Sequence, residues 1–208
     1  MQVFKKNKKL RAVKQAVLAP NYTVCGNPVV SDDFIASGFA STNYLKTPNF
    51  PTVTNGITIS CKFNSGLKET SLTNFIFGWY HSESFSFLRF DFYNNNLFRS
   101  AWRDKNLVFG KKQIEMLPDT DHELKVTLTN SAVECYLDGV FWFNEDVEID
   151  FSHLKPEYFT LGTMNVANTW FLENGSIDLK NFKVFDSDNN LVFSTVKTNQ
   201  KLFAVNEE

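Results

Sequence analysis

Between positions 79 and 103 the chain gathers Trp79, Tyr80, His81, Arg89, Asp91, Arg99, Trp102 and Arg103, a mixture of aromatic rings and planar polar side chains. Asn165, Asn168 and Trp170 repeat that mixture in a second polar stretch, Met164 to Trp170. Sugars are recognised by such sets, because their C–H faces pack on rings while their hydroxyls need paired donors and acceptors. Trp79, Tyr80, His81, Arg89, Asp91, Arg99, Trp102, Asn165 and Trp170 are therefore the candidate ligand-binding residues. Covalent chemistry finds no comparable set. His81, His122 and His153 are far apart in sequence, Ser131 and Ser152 lack the turn that exposes a catalytic serine, and no glycine-rich phosphate loop exists. Asp186-Ser187-Asp188-Asn189-Asn190 opens like a calcium loop, yet Leu191 replaces the required glycine and Lys197 the closing glutamate, so a turn is expected there.

Charge is unevenly distributed. Residues 1–20 carry Lys5, Lys6, Lys8, Lys9, Arg11 and Lys14, and the first acid is Asp32. The remainder of the chain is acidic, so a basic arm precedes an acidic body. Val3, Leu10, Val13 and Val17 share one helical face, and Pro20 would end that helix. The arm is read as a segment that docks on a partner. Interleaved aromatics are missing beyond Phe4, which argues against nucleic acid. Residues 20–31 read as a linker punctuated by Pro20, Gly26 and Pro28. No apolar run approaches the ~18 residues of a membrane span, and no export signal is visible. Cys25, Cys61 and Cys135 show no metal-like spacing and are expected as free thiols, the last two as small hydrophobes inside apolar runs.

The elements that would position the candidate residues have a period of two. Ile57, Ile59, Cys61 and Phe63 alternate with polar positions, as do Phe75, Phe77 and Trp79, and then Leu88, Phe90 and Phe92. Leu124, Val126 and Leu128 follow, then Val133, Cys135 and Leu137, with further short runs at Phe159 and Leu161, Leu179 to Val184, and Leu191 and Phe193. Short strands broken by Asn, Gly, Asp and Pro predict an all-β sandwich or barrel. Asn94-Asn95-Asn96 and Asp138-Gly139 mark hairpins, the second strongly, because glycine takes positive φ at low cost. The 22 Phe need a wide apolar interior, which two facing sheets provide. With Leu88, Phe90 and Phe92 inward, Arg89 and Asp91 must project from the opposite face of their sheet.

Several stretches resemble a known family. His122-Glu123-Leu124-Lys125-Val126-Thr127-Leu128, followed by Tyr136-Leu137-Asp138-Gly139-Val140, resembles the hairpin of concanavalin A-like, laminin-G-like domains. Gly175-Ser176-Ile177-Asp178-Leu179-Lys180-Asn181-Phe182-Lys183-Val184-Phe185 is similar to their closing strand, and Ser41-Thr42-Asn43-Tyr44-Leu45 before Gly56-Ile57-Thr58-Ile59 to their opening. The resemblance spans about residues 32–194. It implies a two-sheet antiparallel jelly-roll sandwich over 32–208, preceded by the short basic helix or arm and linker of 1–31. Members bind carbohydrate or protein, some through calcium, and related branches are glycosidases; fold alone does not select among these. A calcium site is possible on that resemblance, with no ligand set assigned in this chain, and no other cofactor is implied. Related endoglucanases carry Glu-x-Asp-x-x-Glu, whereas Glu148-Ile149-Asp150-Phe151-Ser152-His153 ends in histidine and so lacks the proton donor that retaining hydrolysis needs.

The expectation is a non-catalytic module, binding a glycan or another cell-surface ligand and presented on a larger assembly. A lectin-like fold without a visible export signal fits a bacteriophage tail or head appendage, assembled in the host cytoplasm, with the arm contacting other virion proteins; a homo-oligomer is expected, and a cytoplasmic location is the alternative. A purely structural decoration protein is the rival, and a glycoside hydrolase-like domain comes third.

Overall fold

The computed structural model describes residues 22–49, 55–66, 73–81, 86–93, 97–103, 109–117, 119–149, 151, 158–163, 171–172 and 174–195; at 73–74, 80–81, 86–87, 93, 103 and 109–110 only the backbone is described. The basic arm with Lys5, Lys6, Lys8, Lys9, Arg11 and Lys14 lies outside the described residues, as do Asn165 and Trp170. The strands begin with β1 (Thr23–Cys25), β2 (Val29–Val30), β3 (Ile35–Ser37), β4 (Tyr44–Lys46) and β5 (Gly56–Asn64). They continue through β6 (Thr73–His81), β7 (Ser86–Tyr93), β8 (Leu97–Arg103), β9 (Phe109–Glu115) and β10 (Asp121–Thr129). The last are β11 (Ala132–Leu137), β12 (Val140–Asp146), β13 (Thr160–Leu161), β14 (Ser176–Asp186) and β15 (Leu191–Ser194).

Two antiparallel sheets result. Sheet A runs β1-β4-β13-β6-β7-β8-β9, and sheet B runs β12-β11-β10-β5-β14-β3-β2 with β15 paired to β14. The all-β sandwich expected from the alternation, and the jelly roll that the family resemblance implies, are the architecture found. Residues 23–25 and 29–30, read from their Pro and Gly content as linker, instead supply the short strands β1 and β2. Pairing explains the difference: β1 lies against β4 in register Val24↔Leu45, and β2 against β3 in register Val30↔Ala36. Two or three residues carry too little periodicity to announce a strand before its neighbour is known.

The interior is filled with rings. Phe77 stacks on Phe90 at 4.9 Å between centroids and meets the edges of Phe159 and Phe182 at 6.0 and 5.4 Å, tying sheet A to sheet B. Offset and edge-on pairs of this kind add about 0.5–1.5 kcal/mol each to their area burial. At one flank, Trp102 of β8 stacks on Phe143 of β12 at 5.9 Å. Beside it the edge strands β9 and β12 are clipped together by Lys112 Nζ and Glu145 Oε2 at 2.7 Å.

The Asp138-Gly139 turn joins β11 and β12 with φ of 53° and 76° at its two central residues. Both values are positive, as a type I′ hairpin requires. The β14–β15 turn is built by Asp186, whose carboxylate accepts bonds from the Asp188 and Asn190 backbone N–H groups and the Asn190 side chain. Those bonds, the Asn190 side chain first, hold the Asp186 carboxyl below its ordinary range.

Cys61 and Cys135 point into the core as small apolar fillers, and burial pushes both thiols up. Cys25 is half-buried on edge strand β1. A disulfide reagent under native conditions should therefore react with one thiol, Cys25, and with all three only after unfolding. The two core thiols remain protonated in the fold but ionise in the unfolded chain. Their contribution is fully present below the ordinary thiol value of 9.0 and is lost as pH rises above it. Urea midpoints should accordingly fall through that window, and the slope should be smaller in Cys61→Ala/Cys135→Ala.

Candidate functional site

Arg89, Asp91 and Arg99 do project from the outer face of sheet A, but they are not open to a ligand. Their relative exposures are 8%, 0% and 7%. Arg99 donates from Nε and Nη2 to the two Asp91 carboxylate oxygens at 2.7 and 2.8 Å, a bidentate fork, and Arg89 Nε lies 3.1 Å from Asp91 Oδ2. The register makes this possible, since Asp91 pairs with Arg99 across β7 and β8 and Arg89 is two residues along the same face. Gly78 faces Arg89 from β6, and a Cβ there would sit 2.3 Å from the Leu88 carbonyl oxygen. Burial lowers the pKa of the Arg89 guanidinium; the neighbouring Asp91 opposes that shift and Arg99 reinforces it. The triad is an internal brace.

Trp79 and Trp102 are core residues as well, 5% and 4% exposed. Trp79 packs edge-on against Phe159 at 5.2 Å, and Trp102 stacks on Phe143 as described. Their parity with Leu88, through Trp79↔Leu88↔Trp102, turns them inward. Tyr80 and His81 close β6, with side chains outside the described residues. Glu148 is exposed after β12, outside any strand.

The open chemistry lies on the other sheet. Four adjacent strands place one outward row across sheet B, Ile35↔Asp178↔Lys62↔Glu123, and a second, Ser176↔Asn64↔Asp121, one pleat away. Together with Phe63, His122 and Asp138 these residues line a cleft of about 400 Å³. Its walls are held by their own bonds. Glu123 N–H donates to Asp138 Oδ1 at 2.7 Å, and His122 Nδ1 lies 2.8 Å from Asp138 Oδ2 while its Nε2 lies 2.7 Å from Thr120 Oγ1. Asn64 Nδ2 donates to Asp121 Oδ1 at 2.9 Å, and Lys62 Nζ sits 3.1 Å from Glu123 Oε2. Asp178 accepts from the Lys180 N–H and the Asn181 side chain at 2.9 and 2.6 Å. These last bonds arise where β14 leaves its register with β5 between Asp178 and Lys183.

Beside the cleft stands an aromatic shelf. Tyr136 pairs with Lys125 on one side and with Phe141 on the other, two residues along the face from Asp138. The Tyr136 and Phe141 rings meet at 5.7 Å, nearly perpendicular, and Phe141 is 54% exposed. A bulge between Cys135 and Tyr136 makes Trp142 the extra residue of β12, sending it towards Phe98 at 5.4 Å and leaving Phe141 outward. The negative charge of Glu134 raises the Tyr136 phenol above its ordinary value. A second, half-buried aromatic set, at β4 on sheet A, is already occupied: Lys46 Nζ covers the Tyr158 ring at 3.5 Å. Beside it, the hydrogen bond with Cys25 is the main cause that pushes Tyr44 to about 12.

The alternation that turns Val133, Cys135 and Leu137 inward also turns Glu134 and Tyr136 outward, so half of the shelf was readable. Phe141 was not, because Phe141-Trp142-Phe143 has no alternation. No group of three or more His, Cys, Asp or Glu among the described residues is arranged to hold a metal ion.

No family model matches the chain, and no curated protein matches it. Solved structures do. The binding domain of botulinum neurotoxin serotype D superposes with a TM-score of 0.58 at 11% identity over 79% of this chain. The binding domain of botulinum neurotoxin DC, in complex with rat synaptotagmin II, gives 0.61 at 10% over the same share. The chain spans 42% of each of those two chains. Domains LG4-5 of the mouse laminin alpha1 chain give 0.57 at 11%, over 81% of this chain and 46% of that one. The shared feature is the laminin-G-like jelly-roll fold.

Removing the carboxylate from the internal brace takes a shared counter-charge from two buried guanidinium groups. Asp91→Ala should cost about 3–5 kcal/mol in urea denaturation. A cost under about 1 kcal/mol would show that the brace is not buried as described.

Proposed function

We propose that this chain is a non-catalytic binding module whose ligand is a carbohydrate, held on the outer face of sheet B. The carrying observation is the adjacency of the Tyr136–Phe141 shelf to the cleft of Lys62, Asn64, Asp121, Glu123 and Asp178. An exposed ring face takes the C–H side of a pyranose, and carboxylates, amide and ammonium one pleat away accept from and donate to its hydroxyls. A volume of about 400 Å³ fits one or two sugar rings. The fold supports this reading, because its neighbours are binding domains by their own descriptions.

Tyr136 and Phe141 lie on the surface, so their truncation should leave the fold intact. On a glycan array the full chain should bind a restricted set of glycans. Both Tyr136→Ala and Phe141→Ala should weaken that binding roughly tenfold, the loss of about 1.4 kcal/mol expected for an aromatic anchor. Trp102→Ala should instead lower the melting temperature. Silence across the array, or binding indifferent to both shelf substitutions, would sink the proposal.

A further inference from the structure

The cleft beside the shelf is electrostatically one-sided, and that bears on which sugars it admits. Asp121, Glu123, Asp138 and Asp178 supply four carboxylates against one ammonium, Lys62, already 3.1 Å from Glu123. The shelf offers no counterweight, since Lys125 on β10 has Glu134 on the same outward face of β11. Resting on the carbohydrate reading above, we infer that the site selects glycans carrying a free amino group and discriminates against carboxylated or sulfated ones.

The sign of the cleft's charge sets the preference. A hydroxyl stacked over Tyr136 and reaching the cleft can donate to Glu123 or Asp138 whatever the glycan's charge. An ammonium at the same position adds a charge-assisted bond, which is shorter and stronger than the neutral one. A carboxylate or sulfate there faces four like charges with one ammonium to offset them, and like-charge juxtaposition is a common device for rejecting a wrong partner. Three of the four acids are fixed in place: Asp138 by the Glu123 N–H and His122, Asp121 by Asn64, Asp178 by Lys180 and Asn181. They cannot rotate away to receive an anion without giving up those bonds.

Calorimetric titration of the full chain with three tetrasaccharides tests this: a β-1,4-glucosamine tetramer, its N-acetylated counterpart, and tetragalacturonate. At low ionic strength the glucosamine tetramer should bind roughly tenfold tighter than the acetylated one, and the uronate weakest. In Asp121→Asn/Glu123→Gln the ranking should shrink to within about twofold, as it should in wild type when salt brings the screening length to about 3 Å. Asp146→Asn/Asp188→Asn removes equal charge from exposed positions outside the cleft and should leave the ranking unchanged. Equal affinities, preference for the uronate, or a ranking that collapses as much in the second double variant would overturn this inference while leaving the carbohydrate reading in place. Failure of all three sugars, together with a silent glycan array, would remove the reading itself.

Discussion

The fold depends on a wide interior whose largest occupants are aromatic rings. Phe77, Phe90, Phe159 and Phe182 meet between the sheets at 4.9 to 6.0 Å, and each ring is supplied by a different strand or connection. Face-to-face sheets pack about 10 Å apart, a gap that interdigitating rings span well. Because inward positions are taken by apolar side chains, every second residue faces out, and the chemistry of the molecule is decided by what lies on that outward half.

The two outward faces have met different fates. On sheet A the polar residues that β7 and β8 turn outward are themselves buried, so their charges had to be neutralised internally. Arg89, Asp91 and Arg99 do this with a fork and an ion pair. Isolated charges would be prohibitive in such a place; paired and hydrogen-bonded ones are tolerated. Sheet B kept an open outer face, and there the same residue types are free to meet a ligand. Charged side chains in a β-sandwich thus carry opposite meanings on its two sheets.

This explains what was legible in the sequence. Period-two runs announced the sandwich, the inward thiols Cys61 and Cys135, and the outward parity of Arg89 and Asp91. Asp138-Gly139 announced its hairpin, since a type I′ turn demands positive φ twice. Whether an outward face is then covered is a property of distant segments, and no local pattern carries it; Arg89, Asp91 and Arg99 therefore looked like a site and proved to be a brace. Trp79 and Trp102 were offered for their ring chemistry, but they share the inward parity of Leu88, and Trp79 stood already in the alternating run with Phe77. The sheet-B cleft was invisible because its floor comes from β3, β14, β5 and β10, spread from Ile35 to Asp178. Only pairing brings them side by side.

The flank where β9 and β12 meet has a consequence for the shelf. Among the described strands Phe141 stands on the outermost of sheet B, and the Lys112–Glu145 ion pair ties that strand to the opposite layer beside the Trp102–Phe143 and Phe98–Trp142 ring contacts. Half-exposed ion pairs weaken as electrolyte rises. Electrolyte can thus act at a distance, loosening the hairpin that presents one ring of the platform. In a medium of fluctuating salinity the Phe141 ring would ride on a scaffold that breathes with the salt around it.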